Sequence, residues 1–197
     1  MAARDMRAAV VLFLVLTVVT GLMYPLAMTG IGQVLFPRQA NGSLIRVHGR
    51  VVGSALIGQY FRGPGLFWSR PSATSPTPYD AEASSASNLG PHNALLRKHV
   101  AARVAALRKA DPKERGPIPI DLVTSSGSGL DPDISVAAAR YQVARVARAT
   151  KIPKARLDAL IKRYTTPRSL GFLGEPVVNV VKLNLALWGM DGGHFRR

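Results

Sequence analysis

The sequence predicts an α+β fold, in which a single N-terminal transmembrane helix is followed by one soluble mixed α+β domain. No residue from Ala8 to Pro37 is charged, and about 20 apolar helical residues suffice to cross the hydrocarbon layer of a membrane. Beyond that run, β-branched segments come first and segments of helical periodicity follow, an order typical of α+β domains. We therefore divide the 197 residues into a basic tail (1–9), an anchor with its interfacial segment (10–36) and the soluble domain (37–197).

The apolar run is interpreted as an uncleaved anchor. It is longer than the h-region of about 7–15 residues in a signal peptide, and residues 25–27 (Pro-Leu-Ala) make a poor cleavage site. One span supplies no walls for a pore or a carrier. The basic residues on both sides of the span leave its orientation open, because large domains translocate largely regardless of their charge.

The elements of the soluble domain are predicted from short patterns. Residues 42–45 and 51–61 are β-branched and punctuated by glycine, which indicates strands. Residues 63–91 contain five prolines and three aromatic residues, which indicates a long ordered loop packed on the domain. Residues 176–188 fit a strand or a helix, and the proline at their start favours a helix. Three further segments have the apolar spacing of helices: residues 96–107, 136–146 and 157–164.

The composition narrows the possible partners and chemistries. The absence of cysteine excludes disulfides and thiolate metal sites. The 26 Lys+Arg against 11 Asp+Glu give a formal net charge of +15, which fits nucleic acid, anionic lipid or an acidic protein. Because the basic residues are spread over several helices rather than gathered in one stripe, we expect no nucleic-acid partner. Membrane lipid remains a predicted partner.

The candidate binding site lies in the segment 121–132. Its hydroxyl- and glycine-rich loop consists of Ser125, Ser126, Gly127, Ser128 and Gly129. Asp131-Pro132 is predicted to cap the helix that follows, and small residues next to a helix N-terminus can cradle an anion. An ordinary capped loop explains the same spacing. Gln142, about two turns into that helix, is either a polar contact for a ligand or partner or a boundary residue.

The sequence contains no catalytic motif. There is no P-loop, no Gly-x-Ser-x-Gly elbow and no His-Glu-x-x-His, and the four histidines lack the spacing of metal ligands. We therefore predict no catalytic residue and no metal site. Two alternatives from other classes remain: a membrane-anchored hydrolase that uses Ser128 or its neighbours, and a module that binds anionic lipid through its positive charge.

Eight phrases in a fixed order carry a family resemblance. They are residues 67–73 (Phe-Trp-Ser-Arg-Pro-Ser-Ala), 79–81, 84–91, 121–132, 134–135 with 137–138, 141–142, 171–180 (Gly-Phe-Leu-Gly-Glu-Pro-Val-Val-Asn-Val) and 183–187 (Leu-Asn-Leu-Ala-Leu). Together with the N-terminal span, they resemble the KdpC family, the C subunit of the Kdp potassium-transporting P-type ATPase. The resemblance covers nearly the whole chain.

The resemblance implies an accessory subunit of a complex in the bacterial inner membrane. Its partners would be a potassium-conducting subunit, an ATP-hydrolysing subunit and a small hydrophobic subunit. The family is described as a catalytic chaperone that raises the ATP affinity of the hydrolysing subunit. On this basis the loop Ser125–Gly129, Asp131 and Gln142 would contact nucleotide or partner. The chain would have no cofactor of its own, and any ATP contact would be shared with the partner subunit.

The resemblance also implies that the soluble domain lies on the outer, periplasmic side of the membrane. ATP is absent there, so a static domain in that position cannot bind the nucleotide that the hydrolysing subunit uses. We therefore expect the effect on ATP affinity to pass through the complex, as a coupling free energy between distant sites.

Overall fold

The computed structural model describes residues 2–190. The chain forms two compact units, Met1–Gly53 and Ser54–Arg197. The predicted soluble domain extends to Arg197, and its residues 191–197 lie outside the described part.

The first unit begins with a long apolar helix. α1 (Ala2–Val18) continues through a π-helical turn (Val19–Met23) into α2 (Tyr24–Leu35). An 18-residue window of this 34-residue helix has a mean hydropathy of 2.3, and none of the window is buried. By length and composition the helix can cross a membrane, in agreement with the predicted anchor.

The π-helical turn of this helix ends at Met23, two residues before Pro25. Proline has no N–H to donate to the preceding turn, and a π-bulge accommodates the missing hydrogen bond within a continuous helix. Two hydroxyl groups near the turn also bond within the helix. The Oγ1 atoms of Thr17 and Thr20 donate to the carbonyl oxygens of Phe13 and Leu16, at 2.8 and 2.7 Å.

A short helix, α3 (Pro37–Ala40), and a two-stranded sheet of β1 (Leu44–Val47) and β2 (Arg50–Ser54) follow. The strand predicted over residues 51–61 is thus confirmed only as far as Ser54. Residues 55–61 belong to the second unit, where the Gly58 N–H donates to the Leu130 carbonyl oxygen at 2.7 Å. A Cβ at Gly58 would collide with the Tyr79 ring and lie 2.8 Å from the Asp131 carbonyl oxygen, so only glycine fits this close approach.

Helices and a small sheet build the second unit. Its helices within residues 54–190 are α4 (Ala94–Ala110), α5 (Val136–Thr150), α6 (Lys154–Arg163) and α7 (Val180–Met190), with 3-10 turns at Ala81–Ala83 and Ile120–Leu122. Its strands are β3 (Asp133–Ser135), β4 (Thr165–Thr166) and β5 (Val177–Asn179), paired antiparallel in the order β3-β5-β4. The α+β class is confirmed, but these strands alternate with helices instead of preceding them. The ambiguous segment 176–188 contains both a strand and a helix.

The core lies where α5, α6 and α7 pack on β5. The apolar faces predicted for α5 and α6 are confirmed, with Ala139, Val143, Val146, Leu157, Leu160 and Ile161 all buried. On α4 only Leu107 is buried, while Val100, Val104 and Ala110 are partly buried against the core cluster. The long loop 63–91 is packed on the unit as predicted, because Phe67 and Trp68 belong to the same core cluster.

The predicted start of α5 was wrong. Asp131 does not cap the helix, because β3 comes between them and α5 begins at Val136. The N-cap is Ser135, whose Oγ accepts a hydrogen bond from the Ala138 N–H at 3.0 Å. The Oδ1 atom of Asp131 instead accepts from the Asp133 N–H at 3.0 Å and turns the chain into β3. Aspartate and serine are both good capping residues, and a three-residue strand between them leaves no periodic signal.

Candidate functional site

The centre of the candidate site is a loop held by two side-chain amides. Asn184 in α7 accepts from the Phe67 N–H at 2.9 Å and donates to the Phe67 carbonyl oxygen at 2.9 Å. Gln142 in α5 accepts from the Trp68 N–H at 2.7 Å and donates to the Trp68 carbonyl oxygen at 3.1 Å. The two side-chain amides thus pair the N–H and carbonyl groups of two consecutive residues, as a neighbouring strand does in a β-sheet. We call Gln142 and Asn184 the amide clamp.

The amide clamp exists because buried backbone groups must be paired. Phe67 and Trp68 are buried but belong to no strand, so no neighbouring backbone satisfies them. A carboxamide offers one acceptor and an N–H donor and can replace a peptide group. Sequence reasoning placed Gln142 on the edge of an apolar face and missed Asn184. The available signal was an amide residue on an otherwise apolar helix face.

A buried arginine reinforces the clamp. Arg145, 5% exposed, donates from Nη2 to the Gln142 Oε1 atom at 2.6 Å and from Nη1 to the carbonyl oxygens of Pro64 and Gly63 at 2.6 and 3.3 Å. Its guanidinium lies 4.6 Å from the centre of the Trp68 ring. Burial lowers the pKa of Arg145 to about 10, so it is charged at neutral pH. Its charge is stabilised by carbonyl dipoles and the aromatic face.

The predicted hydroxyl-rich loop is bonded to itself and to the segment before α4. The Oγ atoms of Ser126 and Ser128 accept from the N–H groups of Gly129 and Leu130, at 3.0 and 3.1 Å. The Ser128 carbonyl oxygen accepts from the Ser85 N–H at 3.1 Å. Gly129 has a φ of +70°, and a Cβ there would lie 2.8 Å from the Ser85 carbonyl oxygen. The loop is therefore closely packed at this point.

Asp131 lies beside this loop and forms an ion pair with Arg70. The Arg70 Nη1 and Asp131 Oδ2 atoms are 3.1 Å apart, and the Arg70 Nη2 atom is 3.5 Å from the Ser125 carbonyl oxygen. Burial, and then the charge of Asp131, raise the pKa of Asp133. The Tyr79 hydroxyl donates to the Arg70 carbonyl oxygen, and burial raises the pKa of Tyr79 to about 12. A phenol that remains protonated can keep this hydrogen bond at any physiological pH.

The structure brings some of the predicted residues together and separates others. Arg70 links Asp131 to Ser125, at one end of the loop Ser125–Gly129. Gln142 is 2% exposed, and its amide is engaged in the clamp. The expected helix N-terminus beside the loop is not there, because β3 precedes α5. Contact of this loop with nucleotide or partner stays a prediction.

The polar groups of the described site hold neighbouring segments of the chain in position. The Ser128 hydroxyl accepts a hydrogen bond from the Leu130 N–H at 3.1 Å. Among residues 2–190, no three histidine, aspartate or glutamate residues converge to hold a metal ion. Together these residues fix loop 63–72 against α5 and α7. Arg70 and Ser72 of that loop then bond to Asp131 and to the Gly129 carbonyl oxygen, which ties loop 125–131 to it.

Comparison with known proteins gives matches over almost the whole chain. A family model described as "KdpC: K+-transporting ATPase, c chain" matches residues 6–188. The chain is 59% identical over 184 residues to the potassium-transporting ATPase KdpC subunit of Methylibium petroleiphilum, covering 93% of this chain and 96% of the relative. It is 58% identical to that of Methylococcus capsulatus (92% and 95% covered) and 59% identical to that of Sorangium cellulosum (93% and 97% covered).

Proposed function

The chain belongs to the KdpC family, and on that premise we propose that it is a non-catalytic accessory subunit of an ATP-driven potassium importer in the bacterial inner membrane. Its partners in this proposal are a potassium-conducting subunit, an ATP-hydrolysing subunit and a small hydrophobic subunit. The observation that carries the proposal is the family match over residues 6–188. That range includes the apolar helix, the amide clamp and the loop 125–129.

The hydrogen bonding of the second unit supports a binding role. Gln142 is engaged with Trp68, Asp131 with Arg70, and Ser128 with Leu130. Polar groups used in this way hold the unit's own loops in place. A rigid surface loses little conformational freedom on association, so such a unit is suited to docking on a partner in a fixed shape.

We further propose that the second unit lies on the outer side of the membrane and raises the ATP affinity of the hydrolysing subunit at a distance. The loop Ser125–Gly129 then contacts a partner subunit, and the effect on ATP is a coupling free energy within the complex. Direct contact of this loop with ATP is the competing proposal. A photoreactive ATP analogue that labels residues 125–129 in the assembled complex would favour direct contact.

The orientation can be tested with single cysteines, because the natural chain has none. Arg156→Cys, at an exposed position of α6, should react with a membrane-impermeant maleimide on intact spheroplasts. Met6→Cys, at the start of α1, is the matched control and should react only after lysis. The reverse pattern would place the second unit inside the cell and contradict the proposal.

The accessory role can be tested on the purified complex. Removing this chain should raise the KM for ATP of the hydrolysing subunit, and adding it back should restore the KM. Hydrolysis by the purified chain alone, abolished by Ser128→Ala, would instead support the anchored hydrolase. Salt-sensitive binding to anionic vesicles, with no effect on the KM, would support the lipid-binding module.

A further inference from the structure

Between β4 and β5 the chain forms a hairpin whose end exposes apolar side chains. Ser169 and Leu173 exchange two backbone hydrogen bonds, each of 2.9 Å. Leu170, Phe172 and Leu173 are 83%, 68% and 51% exposed. We call these three residues the apolar tip. Single exposed apolar residues are common on proteins, but neighbouring ones on a protruding turn indicate an interaction site.

The backbone of the hairpin makes the apolar tip more unusual. Leu170 has a φ of +53°, and the following Gly171 has a φ of +83°. A positive φ is rare for residues other than glycine, asparagine and aspartate, and a bulky residue there is an outlier. Folding of the second unit gains no burial from a leucine at this position. A strained, solvent-exposed apolar residue is therefore best explained by a function outside the chain.

The charges at the base of the hairpin indicate what kind of partner fits. Arg168 donates from Nη2 to both carboxylate oxygens of Glu175, at 2.8 Å each, and no residue between them is charged. A loop that inserts into an anionic bilayer presents cations that are free to meet the headgroups. Here the cation is neutralised, and the Glu175 side chain is 76% exposed, where headgroup phosphates would repel it. The pattern fits a protein surface better than a lipid surface.

We propose that the apolar tip docks into an uncharged, apolar pocket on another subunit of the complex. This inference rests on the proposed function, which supplies the partner subunit. Leu170 and Phe172 fill the pocket, and the pair of Arg168 and Glu175 forms the polar rim that excludes water around it. The backbone hydrogen bonds of the hairpin restrict the turn before association, which lowers the entropic cost of docking.

The test compares two full-length variants in the detergent-purified complex. Leu170→Asn combined with Phe172→Ser removes the apolar side chains, and asparagine tolerates the positive φ, so the hairpin should still form. Ile120→Ser is the matched control, because Ile120 is also exposed, at 73%. We expect the double variant to retain the other subunits about 10-fold less well than the natural chain. The control should lie within about 2-fold.

Three results separate the possible outcomes. Equal retention by the double variant and the control would overturn the docking proposal. Failure of the natural chain to retain any other subunit would overturn the proposed function and, with it, this inference. A natural chain that binds while the double variant does not, although the melting temperature of the variant is no lower, supports the docking proposal.

Crosslinking identifies the occupant directly. Phe172→Cys supplies the chain's only thiol, which can carry a benzophenone maleimide in membranes that contain the complex. A crosslinked peptide from an identified pump subunit supports the proposal. A phospholipid adduct without any such peptide would show that the membrane is the occupant and would overturn it.

Discussion

Two loops of the second unit carry large apolar side chains and place them in opposite surroundings. Loop 63–72 buries Phe67 and Trp68, whereas the hairpin between β4 and β5 exposes Leu170 and Phe172. The first loop is held by side chains from two helices. The second is held by its own backbone bonds and one exposed ion pair. Apolar content alone therefore does not distinguish the two loops, and the loop that joins the core is the one whose backbone is paired by polar side chains of the helices.

The largest expected effect is a loss of stability when a phenylalanine is removed, and it should differ between the two loops. Phe67→Ala should lower the free energy of unfolding by about 3–5 kcal/mol, because it removes a fully buried ring and leaves a cavity. Phe172→Ala is the matched control and should change it by less than about 0.5 kcal/mol. Urea unfolding of the full chain in detergent, followed by tryptophan fluorescence, measures both. Equal losses would show that the hairpin ring is part of the core.

The second largest loss of stability is expected when the amide clamp is broken. Gln142→Leu leaves the N–H and carbonyl groups of Trp68 buried without partners and removes an acceptor from Arg145. We expect a loss of about 2–4 kcal/mol, since each unpaired buried group costs about 1–3 kcal/mol. Arg140→Ala, at an exposed position of the same helix, is the control. If both variants unfold at the same urea concentration, the clamp does not stabilise the loop.

Two ion pairs of the second unit should also differ in how much they stabilise the fold, because one includes a buried group and the other is exposed. Asp111 is 3% exposed and pairs with Arg148, whereas Arg168 and Glu175 form an exposed pair. Arg148→Met should cost about 1–3 kcal/mol, because it leaves a buried carboxylate without its partner. Arg168→Met should have little measurable effect on stability. A similar cost for both variants would contradict the contrast.

The contribution of the buried pair should also depend on pH. Burial alone would raise the pKa of Asp111, but the hydrogen bond and charge of Arg148, with two backbone N–H groups, outweigh it and lower the pKa. The stabilisation is therefore complete above about pH 4, the usual pKa of an unfolded aspartate, and is lost as the pH falls through the lower folded pKa. The difference in stability between the natural chain and Arg148→Met should shrink below pH 4. A difference that grows there would contradict the assignment.

The smallest expected effect is a gain in stability. Leu170→Asn should raise the free energy of unfolding by about 0.5–1 kcal/mol, because asparagine adopts a positive φ more readily than leucine. Leu173→Asn, in the same hairpin but not at one of the recorded positive-φ positions, should give no such gain. A loss of stability in Leu170→Asn would show that this leucine supports the fold.

Local patterns in the sequence predicted the parts of the fold that depend on neighbouring residues. The uncharged N-terminal run predicted the long helix, and apolar spacing predicted α5 and α6. The start of α5 was wrong because Asp131 and Ser135 are both capping types, and the three residues of β3 are too few to show alternation. Strands of two or three residues are specified by their partners in space and not by their own pattern.

The candidate site was harder to predict, because its contacts join distant parts of the chain. Gln142 and Trp68 are 74 residues apart, and Asn184 and Phe67 are 117 apart. The sequence identified Gln142 as a notable polar residue but could not show that its amide serves the chain itself. The turn at Leu170 gave no signal either, because a leucine does not indicate a positive φ.

Hydrogen exchange of backbone amides, with and without the other subunits, tests the central contrast most directly. The N–H groups of Phe67 and Trp68 should exchange slowly in both states, because the amide clamp already holds them. Those of Gly171 and Phe172 bond only within the exposed hairpin, so their exchange should slow down by about 10-fold or more when the complex covers it. Unchanged exchange at the hairpin, or protection of Phe67 and Trp68 that arises only on assembly, would contradict the account.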